Sequence, residues 1–508
     1  MAPRARRRGA TPRRSSSPAA AAPAKPTELT TAGPMQTGLR GFIDGVVGPL
    51  GLLIPAPLLC LVFAWLTCCP EMDGQRTLGG LLEYGRANGL GGVLRAALEF
   101  CGTGDAAAWR FLGAFNLGAL ALYYLPGPTK YGPATPTGHV PDYTDNGLTH
   151  CLLFTALFIG GSNVGPGELY DLGVIFDTFA PTVGALNVFG LVFCAFLYVK
   201  GLAAPSGAGV APDCGRSGYG PIFDYYWGTE LYPRIAGVDV KKFVNCRFAM
   251  TYWQLAGVSF AYRSFTLHGA VDPAIVLCAL SQYLYLVKFF VWEIGYMRSI
   301  DIIVDRAGFY ETWGCLVWVP SVYTFHTRLL VTSTSGLSWP AALLIFGVGL
   351  AGVGLNFWAD NQRQVFREMD GKCTIWGAKP VFIKASYTMV DAKTGKVRSF
   401  ARLACLLGPP CLCVATPRRF VAAEGPACWR QAVRKQSLLL ASGWWGVARH
   451  FQYAFELTAA WSWGLLAMGH TNGLLPLFYP AFLTILLVHR ALRDEEKCLA
   501  KYGADYEK

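Results

Sequence analysis

Residues 338–358 read SWPAALLIFGVGLAGVGLNFW, a stretch of 21 residues without a charged side chain. A helix of about 20 apolar residues is long enough to cross the hydrocarbon core of a bilayer. In lipid the backbone has to satisfy its own polar groups, so a single apolar segment is stable there only as a helix. This stretch therefore predicts a transmembrane α-helix.

Further apolar stretches of comparable length lie on both sides of it. They are found at 44–67, 110–125, 147–164, 172–200, 248–268, 270–293, 311–331, 447–468 and 473–492. Of the 508 residues, 53% are hydrophobic and 15% are charged, which is more apolar than a typical soluble protein. We therefore predict an all-α integral membrane protein, a polytopic bundle of about ten transmembrane helices.

Lysine and arginine are concentrated in residues 1–40 and in the loop at 359–440. By the positive-inside rule both segments lie in the cytosol. An even helix count agrees, and it places the loops at 126–146, 200–247 and 294–310 and the C-terminus there too. The net charge of +12 then implies no nucleic acid partner, because basic loops over anionic membrane lipids or an anionic cofactor account for it.

The chain divides into three parts by composition. Residues 1–40 are rich in Arg, Ser, Ala and Pro and are predicted to form a disordered basic tail, although an organelle transit peptide has a similar composition. Residues 41–245 hold the N-terminal transmembrane helices and loops. Residues 246–508 form the C-terminal transmembrane half, which carries most of the polar and aromatic motifs.

The sixteen cysteines are scattered and show no paired CxxC spacing, so we assign no metal. Most are expected to pack as small apolar side chains. Cys68, Cys69 and Cys101 are candidates for a disulfide if they face an oxidising lumen.

Several polar and aromatic motifs are unusual for lipid-facing helix. They include GTELYPRI at 228–235, NCRF at 245–248, SGWWGVARH at 442–450 and RDEEKCLAKYG at 493–503. In this order the motifs resemble the sterol reductase family, most of all its 7-dehydrocholesterol reductases of plant type, and the resemblance runs over 125–506. It implies ten transmembrane helices, residence in the endoplasmic reticulum and NADPH-dependent saturation of a sterol ring double bond. It also implies that the C-terminal half at 246–508 contains the cofactor and sterol pocket.

Such a reduction needs a buried acid and a bound nicotinamide, because an alkene accepts hydride only once it has been made electrophilic. No GxGxxG motif follows a predicted strand, so cofactor phosphates have to be met by basic side chains at the membrane face. Arg363 and Arg367 are one helical turn apart if their helix continues past its apolar span, and the resemblance implies that they contact the cofactor. The alternative is a basic flank of that helix.

The segment at 442–450 is the second candidate cofactor region. Trp444 or Trp445 could stack on a cofactor ring, Arg449 could meet a phosphate and His450 could bond to hydroxyl groups, with Tyr453 beside them. The alternative is an interfacial aromatic belt with a snorkelling arginine. The last group lies at the end of the last span, where Arg490 and Asp494 are one helical turn apart and Lys501 and Tyr502 complete the motif. The resemblance implicates Asp494 in cofactor binding or proton delivery. The alternative is that Arg490 and Asp494 form an i, i+4 ion pair on the surface.

Ionisable groups inside apolar spans are the candidates for the acid, because burying them is costly. Tyr285 is the expected proton donor, since the resemblance places it beside the substrate, and Glu456 is a second candidate. Lys288 could act on a nearby tyrosine or pair with Glu293. The alternative for Tyr285 is a buried tyrosine whose hydroxyl only bonds to the backbone.

The chain departs from the family pattern in two places. Residues 400–435 form an atypical insertion before the SGWWGVARH motif, which we expect to be a tolerated surface loop or an artefact of the gene sequence. The sequence stops at Lys508, with Tyr506 where the family usually has Trp, so we expect weakened NADPH binding.

The motifs favour reduction of the Δ7 double bond of sterols with NADPH, with the sterol arriving from the bilayer. The alternatives are a sterol Δ14-reductase, a membrane methyltransferase of the isoprenylcysteine type, and a non-catalytic sterol-binding protein. The methyltransferase has a similar Arg-His and Arg-Asp-Glu arrangement, but its plan of about five helices fits this chain poorly.

Overall fold

The computed structural model describes residues 41–135, 139–162, 170–206, 213–390, 432–469 and 473–507. The predicted tail at 1–40 and most of the predicted insertion lie outside these residues. The longer helices are α1 Ile43–Cys68, α2 Leu78–Cys101, α3 Ala106–Tyr123, α4 Gly147–Gly161, α5 Phe179–Ala203, α6 Met250–His268, α7 Pro273–Val291, α8 Phe309–Tyr323, α9 Phe325–Thr332, α10 Trp339–Glu368, α11 Phe451–Met468 and α12 Phe478–Tyr502. The short strands are β1 Thr129–Tyr131, β2 Asp142–Thr144, β3 Arg234–Ile235 and β4 Val238–Asp239, and the longer pair is β5 Phe382–Val390 and β6 Ala432–Leu440.

Five helical segments of the described chain are long and apolar enough to cross a membrane. They are α1, α5, α7, α10 and the segment Leu475–Tyr502, which contains α12. The predicted all-α integral membrane fold is therefore confirmed. Each of the other predicted spans also overlaps a helix, although α4 has only 15 residues, and the count of ten crossings stays a prediction.

Helix α2 is not among the predicted spans. Its sequence is rich in glycine, which lowers both its hydropathy and its helix propensity. Gly89 has a φ of 69° and breaks the helix into two segments. A broken, weakly apolar helix leaves little signal in a scan for spans of about 20 residues.

A single hydrophobic cluster connects the first and last long helices, from Ala56 in α1 to Leu487 in α12. Within it α10 packs along α11. A Cβ atom on Gly352 of α10 would lie 2.9 Å from the carbonyl oxygen of Phe455 in α11, and one on Gly349 would overlap the hydroxyl of Ser462. Small residues thus bring these two backbones close together, as is common between membrane helices.

The loops predicted to be cytosolic meet at one end of the bundle. Arg234 pairs with Asp142 at 2.8 Å, Arg298 donates to the carbonyl oxygen of Tyr131 at 3.3 Å, and Lys241 donates to that of Ile302 at 2.8 Å. These contacts join the loops at 126–146, 200–247 and 294–310. The loops therefore share one face, as an even number of crossings requires.

Strands β5 and β6 form an antiparallel pair in which Phe382 is opposite Leu440 and Val390 is opposite Ala432. Most of the predicted insertion at 400–435 lies between the two strands and outside the described residues, and its last four residues form the start of β6. Its flanks are thus joined by backbone hydrogen bonds.

The candidate disulfide among Cys68, Cys69 and Cys101 is absent. All three thiols are free, and that of Cys101 contacts the carbonyl oxygen of Leu61 at 3.6 Å. These side chains instead pack inside the bundle as small apolar groups, the role expected for most of the cysteines.

Candidate active site

Helix α10 continues ten residues past its apolar span, to Glu368, so Arg363 and Arg367 lie one turn apart on a helix as predicted. The Arg363 guanidinium lies 4.2 Å from the centre of the Trp445 ring, and it is 3.7 Å from the Asp360 carboxylate. Arg367 is exposed at the end of the helix. The two arginines thus form a cationic face at the membrane boundary.

Two hydrogen bonds attach the segment at 442–450 to α10. The backbone N–H of Trp444 donates to the side-chain oxygen of Gln362 at 2.9 Å. The indole N–H of Trp445 donates to the carbonyl oxygen of Ala359 at 2.8 Å. Gly443 permits this approach through its φ of 64°, and a Cβ atom there would overlap the Gln362 amide.

The two neighbouring tryptophans have different surroundings. Trp445 lies under Arg363, whereas Trp444 lies in an aromatic cluster of Trp358, Trp376, Phe451 and Phe455. Trp358 and Trp376 are about half exposed, at 47% and 54%. Trp444 thus has the aromatic surroundings expected of an interfacial belt, and Trp445 is the tryptophan beside a cation.

His450 lies just before the first residue of α11 and is close to α12. Its Nε2 atom is 3.6 Å from Oδ2 of Asp494, and its ring stacks on Tyr453 with centroids 5.1 Å apart. Burial lowers the pKa of His450 below its ordinary value; the Asp494 carboxylate opposes this shift, and the Arg363 and Arg449 guanidiniums reinforce it. His450 is therefore neutral at pH 7.

Arg449 and Arg490 are already paired with carboxylates. Arg449 donates to Glu495 at 2.8 Å, and its guanidinium also lies 5.2 Å from the Tyr506 ring. Arg490 forms an ion pair with Asp301, so the pair with Asp494 that its spacing suggested does not form. Both arginines are thus less available to phosphate than Arg367, for which the described residues provide no ion-pair partner.

Lys501 and Tyr502 lie in the last turn of α12, where the Lys501 ammonium is 5.0 Å from the Tyr502 ring. Tyr502 and Asp494 are close enough to the Arg367 guanidinium to interact with it electrostatically. The end of α12 therefore faces the end of α10, and the predicted cofactor residues from three segments come together here.

The two candidate acids meet deeper in the bundle. The Tyr285 hydroxyl on α7 donates to Oε1 of Glu456 on α11 at 2.6 Å. The alternative of a backbone partner for Tyr285 is therefore wrong. The Lys288 ammonium lies 4.5 Å from the Tyr285 ring and donates to the Asn356 side chain at 2.7 Å.

Of the two options for Lys288, the pairing with Glu293 does not form. Glu293 lies beyond the end of α7, where the chain has turned away, and it accepts hydrogen bonds from both terminal nitrogens of Arg247. The Lys242 ammonium is 3.7 Å from the same carboxylate. These fully buried charges form a structural network below the loops.

Four residues that contact the candidate site were not predicted from the sequence. Asp301 pairs with Arg490 and Asp305 pairs with Arg493. Gln362 accepts from the backbone of Trp444, and Asn356 accepts from Lys288. Asp301 and Asp305 lie in a segment that carries the family resemblance. Their role depends on contacts with α12, which is nearly 190 residues away in sequence. The spacing of residues along one segment contains no information about such distant contacts.

The described residues fit a dinucleotide phosphate. Both ring nitrogens of His450 lack a hydrogen-bond partner among these residues, although they are buried. Arg367 has no ion-pair partner in the same part of the chain. A neutral histidine suits a hydroxyl group, arginine suits phosphate oxygens, and Trp445 and Tyr453 offer ring faces.

The sequence profile of the ergosterol biosynthesis ERG4/ERG24 family matches residues 97–508. Similar proteins include a 7-dehydrocholesterol reductase of Arabidopsis thaliana, which is 37% identical over 78% of this chain and 81% of its own. A Delta(14)-sterol reductase of Methylotuvimicrobium alcaliphilum is 32% identical over 80% and 85%, respectively. A 7-dehydrocholesterol reductase of Danio rerio is 32% identical over 75% and 70%. With more than two thirds of its length matched, this chain belongs to the ergosterol biosynthesis ERG4/ERG24 family of sterol reductases.

Proposed function

We propose that this protein reduces the Δ7 double bond of Δ5,7-sterols with NADPH. The observation that carries the proposal is the hydrogen bond between Tyr285 and Glu456, which places a paired acid inside the bundle. Glu456 lies three residues after Tyr453 on α11, so the acid pair is about one helical turn from the His450 group. A proton donor and a site for a hydride donor thus lie side by side.

Tyr285 is the proposed proton donor. Protonation of one end of a conjugated diene leaves an allylic cation, which is easier to form than the cation of an isolated alkene. The Lys288 ammonium over the Tyr285 ring stabilises the negative charge that remains after the proton has left. After the transfer, Glu456 takes a proton from water and passes it to the Tyr285 oxygen to which it is hydrogen-bonded, which restores the hydroxyl.

The cofactor residues divide by their chemistry. Arg363 and Arg367 bind phosphate oxygens, His450 bonds to hydroxyl groups, and Trp445 and Tyr453 pack against rings. Asp494 lies 3.6 Å from His450 on the α12 side, and Lys501 and Tyr502 close the site from the end of α12. The reduced nicotinamide supplies the hydride when NADPH is bound.

The relatives support Δ7 specificity, since the plant 7-dehydrocholesterol reductase is 37% identical to this chain and the bacterial Delta(14)-sterol reductase 32%. The second of these makes Δ14 reduction the competing candidate. We also propose residence in the endoplasmic reticulum. The acid pair lies between apolar helices, so we propose that the sterol reaches it laterally from the bilayer.

The test is expression in a sterol-producing host that accumulates Δ5,7-sterols, followed by sterol profiling. We expect the conjugated-diene absorbance to fall and the Δ5-sterol to accumulate. Conversion of Δ14-sterols with unchanged Δ5,7-sterols would favour the competing candidate. Unchanged sterols of both kinds, with retained sterol binding, would indicate a non-catalytic protein.

A further inference from the structure

The loop at 300–308 presents two carboxylates to the last helix. We call residues 300–308 the acidic loop; it consists of the short helix Ile300–Ile303 and the residues that connect it to the start of α8. Asp305 accepts a hydrogen bond from Arg493 at 2.8 Å, and Asp301 forms an ion pair with Arg490. Asp305 is only 1% exposed and Arg493 is 25% exposed, so the pair is partly shielded from solvent and salt.

The acidic loop is held from its other side by the loop that follows β4. The Lys241 ammonium, itself 1% exposed, donates to the carbonyl oxygens of Ile302 at 2.8 Å and Asp305 at 2.6 Å. The backbone N–H of Ala307 donates to the carbonyl oxygen of Glu230 at 3.0 Å. The carboxylates are therefore fixed by contacts that do not involve α12.

Close backbone packing adds to this support. Gly308 lies against Gly228, where a Cβ atom on Gly308 would be 2.2 Å from the Gly228 nitrogen. Gly228 has a φ of 100°, a conformation that favours glycine. The start of α8 thus leaves the acidic loop little freedom to move relative to the 228–241 segment.

The two arginines and Asp494 share one face of α12. Arg490, Arg493 and Asp494 are spaced at i, i+3 and i+4, so fixing the first two sets the rotation of the helix. Asp494 then lies 3.6 Å from His450, and the next residue, Glu495, reaches Arg449.

We propose that Asp301 and Asp305 are positioning residues, which clamp α12 so that Asp494 and the end of the helix face the cofactor site. This inference deepens the proposed function and rests on it for the identity of the ligand. It assigns no chemical step to either aspartate. The ion pairs act through α12, and the segment that holds them, including Lys241, belongs to the clamp.

The experiment reverses one pair and then restores it. Full-length protein in lipid nanodiscs carries Asp305→Arg, Arg493→Asp or both changes, and NADPH affinity is measured together with hydrogen exchange at 490–502. We expect each single change to weaken NADPH binding about tenfold or more and to speed exchange in this segment. The double variant should recover part of the affinity, because the pair is re-formed with opposite polarity while Lys241 still repels an arginine at position 305.

The matched control is Asp142→Arg, which breaks the pair between Asp142 and Arg234 on the same face of the bundle. This pair has the same 2.8 Å separation but does not contact α12, so NADPH affinity should be unchanged. If a reversed variant fails to fold, Asp301→Asn and Asp305→Asn make the same comparison without introducing a new charge.

Two results would overturn the clamp. One is wild-type NADPH affinity and exchange in a folded Asp305→Arg protein. The other is a double variant that is no better than the single changes. If the wild-type protein itself does not bind NADPH, the proposed cofactor is wrong, and the exchange of residues 490–502 alone decides whether the clamp exists.

Discussion

Tyr285 is the residue on which the proposed chemistry depends most directly. Replacing Tyr285 with Phe removes the hydroxyl that bonds to Glu456 but keeps the ring between its aromatic neighbours, Trp253 and Trp463. We expect kcat to fall about 100-fold or more, the usual effect of losing a general acid, with sterol binding retained. Steady-state kinetics with a Δ5,7-sterol measures this.

The control for Tyr285→Phe is Tyr283→Phe, on the same helix, whose hydroxyl contacts Thr155 at 3.5 Å. It should leave kcat close to the wild-type value. An equal loss in both variants would mean that Tyr285 has no special role.

Arg367 is the clearest candidate for a phosphate contact. Its removal in Arg367→Ala should weaken NADPH binding about tenfold or more, since hydrogen bonds between charged groups contribute about 1.5–3 kcal/mol. The difference from wild type should shrink as salt is added. Titration of the purified protein with NADPH at two salt concentrations checks both effects. Arg298→Ala, an exposed arginine that donates to Tyr131, is the matched control, and a similar loss there would argue against a specific site.

His450 makes a different prediction because its lowered pKa keeps it neutral at pH 7. His450→Ala should weaken NADPH binding about fivefold, the effect of one neutral hydrogen bond of about 1 kcal/mol. His450→Gln keeps a donor and an acceptor and should lose less. The salt dependence of binding should match wild type in both variants; a reduced salt dependence would show that His450 acts as a cation.

At this scale the sequence predicts which residues gather but not how they pair. The motifs identify His450, Asp494 and Arg363, which do lie close together. They do not separate Trp444 from Trp445, and they do not assign Arg490 to Asp301. Those distinctions depend on which face each side chain turns to a distant segment, and periodicity along one helix contains no such information.

Among the elements, the segment at 442–450 is positioned by its contact with the end of α10. Gly443→Ala places a Cβ atom against Gln362 and forces a non-glycine residue into a conformation that costs about 1–3 kcal/mol. We expect NADPH binding to weaken about tenfold while the membrane helices stay folded.

Binding assays and circular dichroism together test the Gly443→Ala prediction. Gly354→Ala, in α10 with open space around it, is the control. Unchanged NADPH affinity in the Gly443→Ala protein would mean that the segment does not form part of the cofactor site.

The helices differ in how well the sequence predicts them. Helix α10 is predicted by its uncharged span, and its continuation to Glu368 follows from polar residues that keep helical spacing. Helix α2 is missed because its glycines lower the apolar signal, and α8 is mainly π-helical with Pro320 inside it, which periodicity near 3.6 cannot show.

For the whole molecule, composition alone predicts a membrane fold, and the shared core from α1 to α12 agrees with it. The loops at 126–146, 200–247 and 294–310 meet on one face, which supports the predicted sidedness. Which alkene is reduced is less accessible to sequence, because a few side chains around Tyr285 determine which part of the sterol reaches the proton donor.

The most direct test of the central claim uses the purified full-length protein in nanodiscs with NADPH and, in separate reactions, a Δ5,7-sterol and a Δ14-sterol. The oxidation of NADPH and the loss of sterol diene absorbance are followed together. With the Δ5,7-sterol, we predict that NADPH and the conjugated diene disappear in equal molar amounts. The Δ14-sterol should be consumed far more slowly. Consumption of the Δ14-sterol alone, or of neither sterol by a folded protein, would contradict the account.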